Sequence, residues 1–186
     1  MIKEYINKIT VKGFIRFNSL SYATPILIVK KSKKGLKIYI DYRTLNTLTI
    51  KNRNTSSLIR ETLSRLYKVK YYSKFDVIAA FNEIRVKKGD EEKIVFLIKY
   101  GLFEYLVMLF GLCNAPGIFQ SYINETLHEY LDKFYLAYLN DILIYSDTEE
   151  EYLEYIKIIL EKLRKAGLYL DIVVGQSCCQ AKEDSW

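Results

Sequence analysis

A chain of 186 residues, half of them hydrophobic, can build one domain with a real core, and its 17 Tyr and 9 Phe exclude a disordered composition. The net charge of +6 suits a polyanionic partner, because Lys and Arg beside phosphates release counterions, but charge alone leaves the partner open. With three Cys, no C-x-x-C pair and a single His, no zinc site can be built on familiar spacing, and no apolar run reaches the ~18 residues that a membrane span needs.

The opening Met1-Ile-Lys-Glu-Tyr has no uninterrupted apolar stretch, so no secretory signal is read there. The expectation is a reduced, intracellular protein with no membrane partner; cytoplasm, nucleus and mitochondrion all fit. Residues 1–20 are a basic lead-in without a clear period. Residues 24–29 are apolar and β-branched and read as a strand. A basic turn, K-K-S-K-K-G over 30–35, leads to residues 36–41, where Leu36, Ile38 and Ile40 alternate with Lys37, Tyr39 and Asp41 and close a hairpin. The Lys cluster by itself reads as a solvated turn rather than an anion site.

Residues 55–67 fit a short helix, 71–77 a strand ending around Asp76, and 79–84 the start of a helix. Residues 94–99 and 101–108 read as strands meeting at Tyr100-Gly101, and 116–130 as a helix with Pro116 in its first turn, where a missing N–H costs least. Residues 134–145 are the most apolar stretch, broken at Asn140-Asp141, and predict strand, polar turn and return strand. The clearest helix spans 148–166. Leu153, Ile156, Leu160 and Leu163 fall on one face, Thr148 with Glu151 forms a capping box, and Gly167 is a suitable stop. From residue 171 onward no period is sustained.

Two carboxylates stand out because each ends or interrupts an apolar strand, where a lone charge is costly to bury: Asp76 and Asp141. Strand ends from distant parts of a chain can bring two acids side by side, and magnesium favours such oxygen ligands together with substrate phosphates. Asn-Asp is a favoured hairpin dipeptide and most such pairs are only turns, so from the residues alone a plain turn is the first reading and a metal site the second.

The motifs S-Y-A-T-P (21–25), I-V-K-K (28–31), D-Y-R-T-L-N (41–46), T-I-K-N-R (49–53), K-F-D (74–76), Y-G-L-F-E-Y-L-V-M (100–108), F-G-L-C-N-A-P-G-I-F-Q (110–120) and Y-L-N-D-I-L-I-Y (138–145) follow one another in order. This series resembles the reverse transcriptase domain of gypsy-type long-terminal-repeat retrotransposons, over residues 21–170. The resemblance implies an α+β fold: the fingers and palm of a right-hand polymerase, with an antiparallel palm sheet flanked by helices. It implies a lead-in over 1–20 and a divergent tail over 171–186, with no thumb, connection or RNase H segment.

The implied activity is template-directed DNA synthesis from RNA or DNA with a primer and dNTP, through two Mg2+ ions. Asp76 matches the first catalytic Asp, a metal ligand, with the Val77 backbone carbonyl beside it. Phe81 matches the aromatic gate that excludes a ribose 2′-hydroxyl. Lys31 and Lys37 match the cations that hold the triphosphate, and Gln120, Phe110, Gly111 and Tyr138 match residues lining the nucleotide pocket and template.

The family pattern Tyr-x-Asp-Asp reads Tyr138-Leu139-Asn140-Asp141 here, so a neutral amide stands where the second metal-ligand Asp is expected, and Asp141 is the acid that remains. Lys37 replaces the usual Arg and loses its bidentate fork, Leu109 replaces Pro, Asn54-Thr55-Ser56-Ser57 replaces a Pro-rich stretch, and Tyr152 and Tyr155 stand where relatives carry His. Asp to Asn, Pro to Leu or Ser, His to Tyr and Arg to Lys are each one C-to-T or G-to-A transition. The expectation is a degenerate, impaired copy; the alternatives are a non-catalytic nucleic-acid-binding module and a relic that folds poorly.

Overall fold

The computed structural model describes residues 2–31, 35–52, 69–78, 80–131, 133–138 and 140–171; the helix expected over 55–67, the turn lysines 33 and 34 and the tail from 172 lie outside them. In chain order the elements are α1 (Ile2–Val11), β1 (Ile15–Phe17), β2 (Thr24–Lys31), β3 (Gly35–Ile40), α2 (Arg43–Leu48), β4 (Tyr71–Val77), β5 (Val95–Ile98), β6 (Gly101–Tyr105), α3 (Ala115–Thr126), β7 (Tyr135–Tyr138), β8 (Asp141–Ser146), α4 (Glu149–Lys165) and β9 (Leu170–Asp171). They fall into two compact units, residues 1–52 with 81–115 and residues 53–80 with 116–186.

The first unit is built on a five-stranded sheet in the order β1-β6-β5-β2-β3, antiparallel except where β2 meets β5. The expected hairpin is present: β2 and β3 pair from Ile26↔Ile40 to Lys31↔Gly35. Its core gathers Ile6, Ile9, Ile15, Tyr42, Phe96, Phe103 and Tyr105, each under a tenth exposed. Two of these residues belong to α1 and one to β1, so the lead-in without a period is a helix and a strand that close this core. The pattern was illegible because α1 buries only Ile6 and Ile9, and three residues of β1 are too few to show alternation. The helix expected from residue 79 is a single 3-10 turn, Ala80–Glu83.

The second unit carries an antiparallel four-stranded sheet in the order β7-β8-β4-β9. Period-2 alternation sorts β4: Phe75 and Val77 are buried, while Tyr72 and Lys74 are exposed and Asp76 is half-buried on the same open face. On β8, Ile142 and Ile144 are fully buried. Helix α3 ends at Thr126, before a 3-10 turn at His128–Tyr130, so it is shorter than expected; no Gly or Pro marks that end in the sequence.

Helix α4 starts at the Thr148 cap, whose hydroxyl accepts from Glu151 N–H at 3.4 Å. The box does not close, because the Glu151 carboxylate accepts from Ser146 Oγ at 3.0 Å instead. Gly167, with φ +75, ends the helix, and Leu168 N–H reaches the Leu163 carbonyl at 2.9 Å. Its buried face is Tyr152, Ile159 and Leu163, whereas Leu153 is 52% and Leu160 38% exposed, so the face is rotated by about one residue from the stripe that leucine spacing suggested. Tyr152 causes the rotation. It is buried, shares a hydrogen bond with Ser73 Oγ on β4 and packs against Tyr71, anchoring the helix by an aromatic residue.

Candidate active site

Strands β4 and β8 lie antiparallel in a register that sets Asp76 directly opposite Asp141. Opposed residues of an antiparallel pair project to the same face, so both carboxylates sit on the open side of this sheet. The two acids singled out in the sequence are therefore neighbours, although 64 residues separate them (141 less 76, less one). On the other edge of β4, β9 sets Asp171 opposite Asp76 as well. Asp76 thus stands between two aspartates in register. Nothing in the sequence marked Asp171, because β9 is two residues long and opens the stretch without a period.

The turn differs from the sequence reading in one respect. Tyr138 pairs with Asp141, so Asp141 is the first residue of β8, and of the Asn140-Asp141 pair only Asn140 lies in the turn. The Asn140 carbonyl accepts from Val77 N–H at 2.9 Å, which prolongs the β4–β8 pairing past Asp76. The Asn140 side-chain oxygen is buried with no hydrogen-bond partner. Like charges facing each other across strands are unfavourable, and Asp141 is compensated by a lysine two residues before Asp76: Lys74 Nζ lies 2.7 Å from Asp141 Oδ2.

Gln120 on α3 faces the same hairpin. Its amide donates to Asn124 Oδ1 at 2.9 Å and to the Ala137 carbonyl at 3.0 Å, one residue before Tyr138, whose side chain is 44% exposed. Gln120 therefore fastens β7 to α3, a positioning role that the sequence did not indicate.

The remaining expected residues belong to the first unit. Phe81 is buried and meets Phe110 edge to face, with ring centroids 4.4 Å apart; Phe110 itself is half-exposed. Phe110 also lines a cavity of about 270 Å³ with Leu109, Ile28, Ile38, Ile40 and Tyr105. Leu109, standing in place of a proline, packs against the core of this unit. The Phe110-Gly111 turn is held from D-Y-R-T-L-N: Asn46 Nδ2 donates to the Gly111 carbonyl, and Asn46 Oδ1 accepts from Cys113 N–H. Asn114 repeats the device, donating to the Ile50 carbonyl and accepting from Asn52 N–H. These two asparagines, absent from the sequence-based site, join motifs more than 60 residues apart. Lys31 pairs with Gly35, and Lys37 with Val29, across the β2–β3 hairpin; what their side chains hold lies outside the described residues.

The donor set does not fit a pair of magnesium ions. Among the described residues no three His, Cys, Asp or Glu side chains converge closely enough to hold a metal. Asp141 is engaged by Lys74, and at residue 140, where the resemblance implies the second carboxylate, Asn140 offers only a neutral amide oxygen.

Comparison with known proteins identifies the family. Residues 28–172 match the family described as reverse transcriptase (RNA-dependent DNA polymerase). The chain is 35% identical over 179 residues to the Tf2-3 and Tf2-4 transposon polyproteins of Schizosaccharomyces pombe, covering 96% of this chain and 13% of each polyprotein. In structure it is similar to a foamy viral protease-reverse transcriptase in complex with RNA/DNA hybrid, with a TM-score of 0.79 at 20% identity over 95% of this chain and 23% of that one. The same viral protein with double-stranded DNA gives a TM-score of 0.82 at 20% identity over 92% of this chain and 30% of that one. The fold is the α+β fingers and palm expected from the resemblance, and the chain belongs to the reverse transcriptase family.

Proposed function

We propose that this chain is the polymerase region of a retrotransposon polyprotein, that residues 21–170 carry out template-directed DNA synthesis from RNA or DNA, and that this copy is strongly impaired. Its partners on this reading are a primer–template and dNTP, and its place is inside the cell, in cytoplasm or nucleus. The observation that carries the proposal is the facing pair Asp76 and Asp141, with a neutral, buried and unpartnered Asn140 oxygen in the adjoining turn.

The family's chemistry, as the resemblance implies it, is two-metal nucleotidyl transfer. That mechanism needs a carboxylate at residue 140, since an amide oxygen is a poor ligand for magnesium. Losing several kcal/mol of transition-state stabilisation would slow synthesis on the order of a thousandfold or more.

The test is primer extension on an RNA template with magnesium, comparing the chain with Asn140→Asp. The expected result is little or no extension by the chain and a large gain in the variant; near-normal synthesis by the unaltered chain would overturn the proposed impairment. Salt-dependent binding of primer–template by both proteins, with no extension by either, would instead favour a binding module.

A further inference from the structure

We infer that Lys74 acts as an internal counter-cation that holds Asp141 and so prevents it from standing in for the carboxylate missing at residue 140. This rests on the impairment proposed above and explains why Asp141, the acid that remains beside the turn, does not repair the site.

The sheet geometry creates the pairing. Lys74 and Asp76 lie two residues apart on the open face of β4, and Asp141 lies opposite Asp76, so Lys74 is diagonal to Asp141 and on the same face. The diagonal separation is within reach of a lysine side chain, and the ammonium lies 2.7 Å from Asp141 Oδ2. Register, not chance surface proximity, puts them together.

A divalent ion arriving at this face therefore meets one carboxylate already neutralised and one positive charge in place. Lys74 and Asp141 are about half exposed, at 48% and 41%, so the pair alone lowers cation affinity only a few-fold. Repulsion between the ammonium and a divalent ion beside it, screened by water and salt, brings the combined penalty to about tenfold.

The experiment is a titration with manganese, read by electron paramagnetic resonance of the free ion, which counts bound ions without requiring activity. The proteins are the chain, Lys74→Met, Lys74→Arg, and Lys74→Met combined with Asp141→Asn, each first checked for a cooperative thermal transition. Lys74→Met should bind manganese about tenfold more tightly than the chain. Lys74→Arg keeps the charge and should bind like the chain. The gain should vanish in the double variant, which assigns it to Asp141. An unchanged affinity in Lys74→Met, or a gain that survives Asp141→Asn, would overturn the inference.

Should Lys74→Met fail to fold, Lys74→Gln serves in its place with the same outcomes. The parent proposal fails separately: two manganese ions bound tightly by the unaltered chain, with no gain from Asn140→Asp, would refute the impairment whatever Lys74 does.

Discussion

Asn46 is bound to Gly111 across 65 residues of chain: its amide nitrogen donates to the Gly111 carbonyl at 2.7 Å while its oxygen accepts from Cys113 N–H at 2.8 Å. One side chain thereby satisfies both ends of the turn that presents Phe110. Gly111 has φ +101, a backbone conformation that side chains resist, so the turn needs an external hold. Asn46→Ala removes both bonds and is expected to cost about 1–2 kcal/mol in urea denaturation. Hydrogen exchange at the Cys113 amide should accelerate well beyond that of its neighbours. Unchanged protection at Cys113 would mean that the turn is held by other contacts.

Glu104 gives a second prediction. Its carboxylate is almost wholly buried and accepts from Arg16 Nε and Asn18 Nδ2, both at the edge of the first unit's sheet. Arg16 is largely exposed, so its worth lies in leaving no buried carboxylate underpaired rather than in its own burial. Arg16→Ala should lower Tm by roughly 5 °C, and Arg16→Lys should recover only part of the loss because a flexible ammonium replaces the fixed Nε–H donor that reaches Glu104 Oε1. A melting curve of Arg16→Ala that overlays the parent's would show that Asn18 alone satisfies Glu104.

Much of this architecture was legible from the residues. The β2–β3 hairpin, β4 ending near Asp76, the β7–β8 return and α4 with its Thr148 cap all follow from alternation, helical period and end signals. What escaped reading was set by partners distant in the chain. The helix α1 looks patternless because only two of its positions are buried, and Asp171 was invisible because a two-residue strand has no period. Asn46 and Asn114 carry no separate signal within their motifs, and their role exists only once motifs more than 60 residues apart are folded together. Tyr152 and Tyr155, departures from the family residues, both pack: Tyr155 stacks on Phe134 with ring centroids 3.9 Å apart.

The rotated face of α4 yields a third prediction. Leucine spacing points to Leu153, yet Ile159 is fully buried while Leu153 is half-exposed. Ile159→Ala deletes buried methyl groups and leaves a cavity, so it should destabilise by about 2–5 kcal/mol. Leu153→Ala, on the solvent side, should fall within about 0.5 kcal/mol of the parent. Chemical denaturation of the two variants decides the matter, and a larger loss at Leu153 would restore the leucine-spaced face.

Asp41 supplies a pH-dependent prediction. Its two carboxylate oxygens take the Arg43 guanidinium as a fork, at 2.8 Å from Nε and 2.6 Å from the terminal nitrogen, and Arg43 N–H adds a third bond at 3.2 Å. The arginine side chain is the main cause, and the backbone bond the next, that hold the carboxyl down at about 2, below the ordinary aspartate value of about 3.8. Because the folded value is the lower one, the pair favours the folded state at every pH above the ordinary value. That contribution disappears as pH falls from about 3.8 through about 2, where the carboxylate takes up its proton. Carboxyl-carbon NMR should therefore find the Asp41 midpoint near 2, and Arg43→Gln should move it back up toward the ordinary value. A midpoint that stays in the ordinary aspartate range in the parent chain would show that solvent loosens the fork, and that D-Y-R is not tied together by charge.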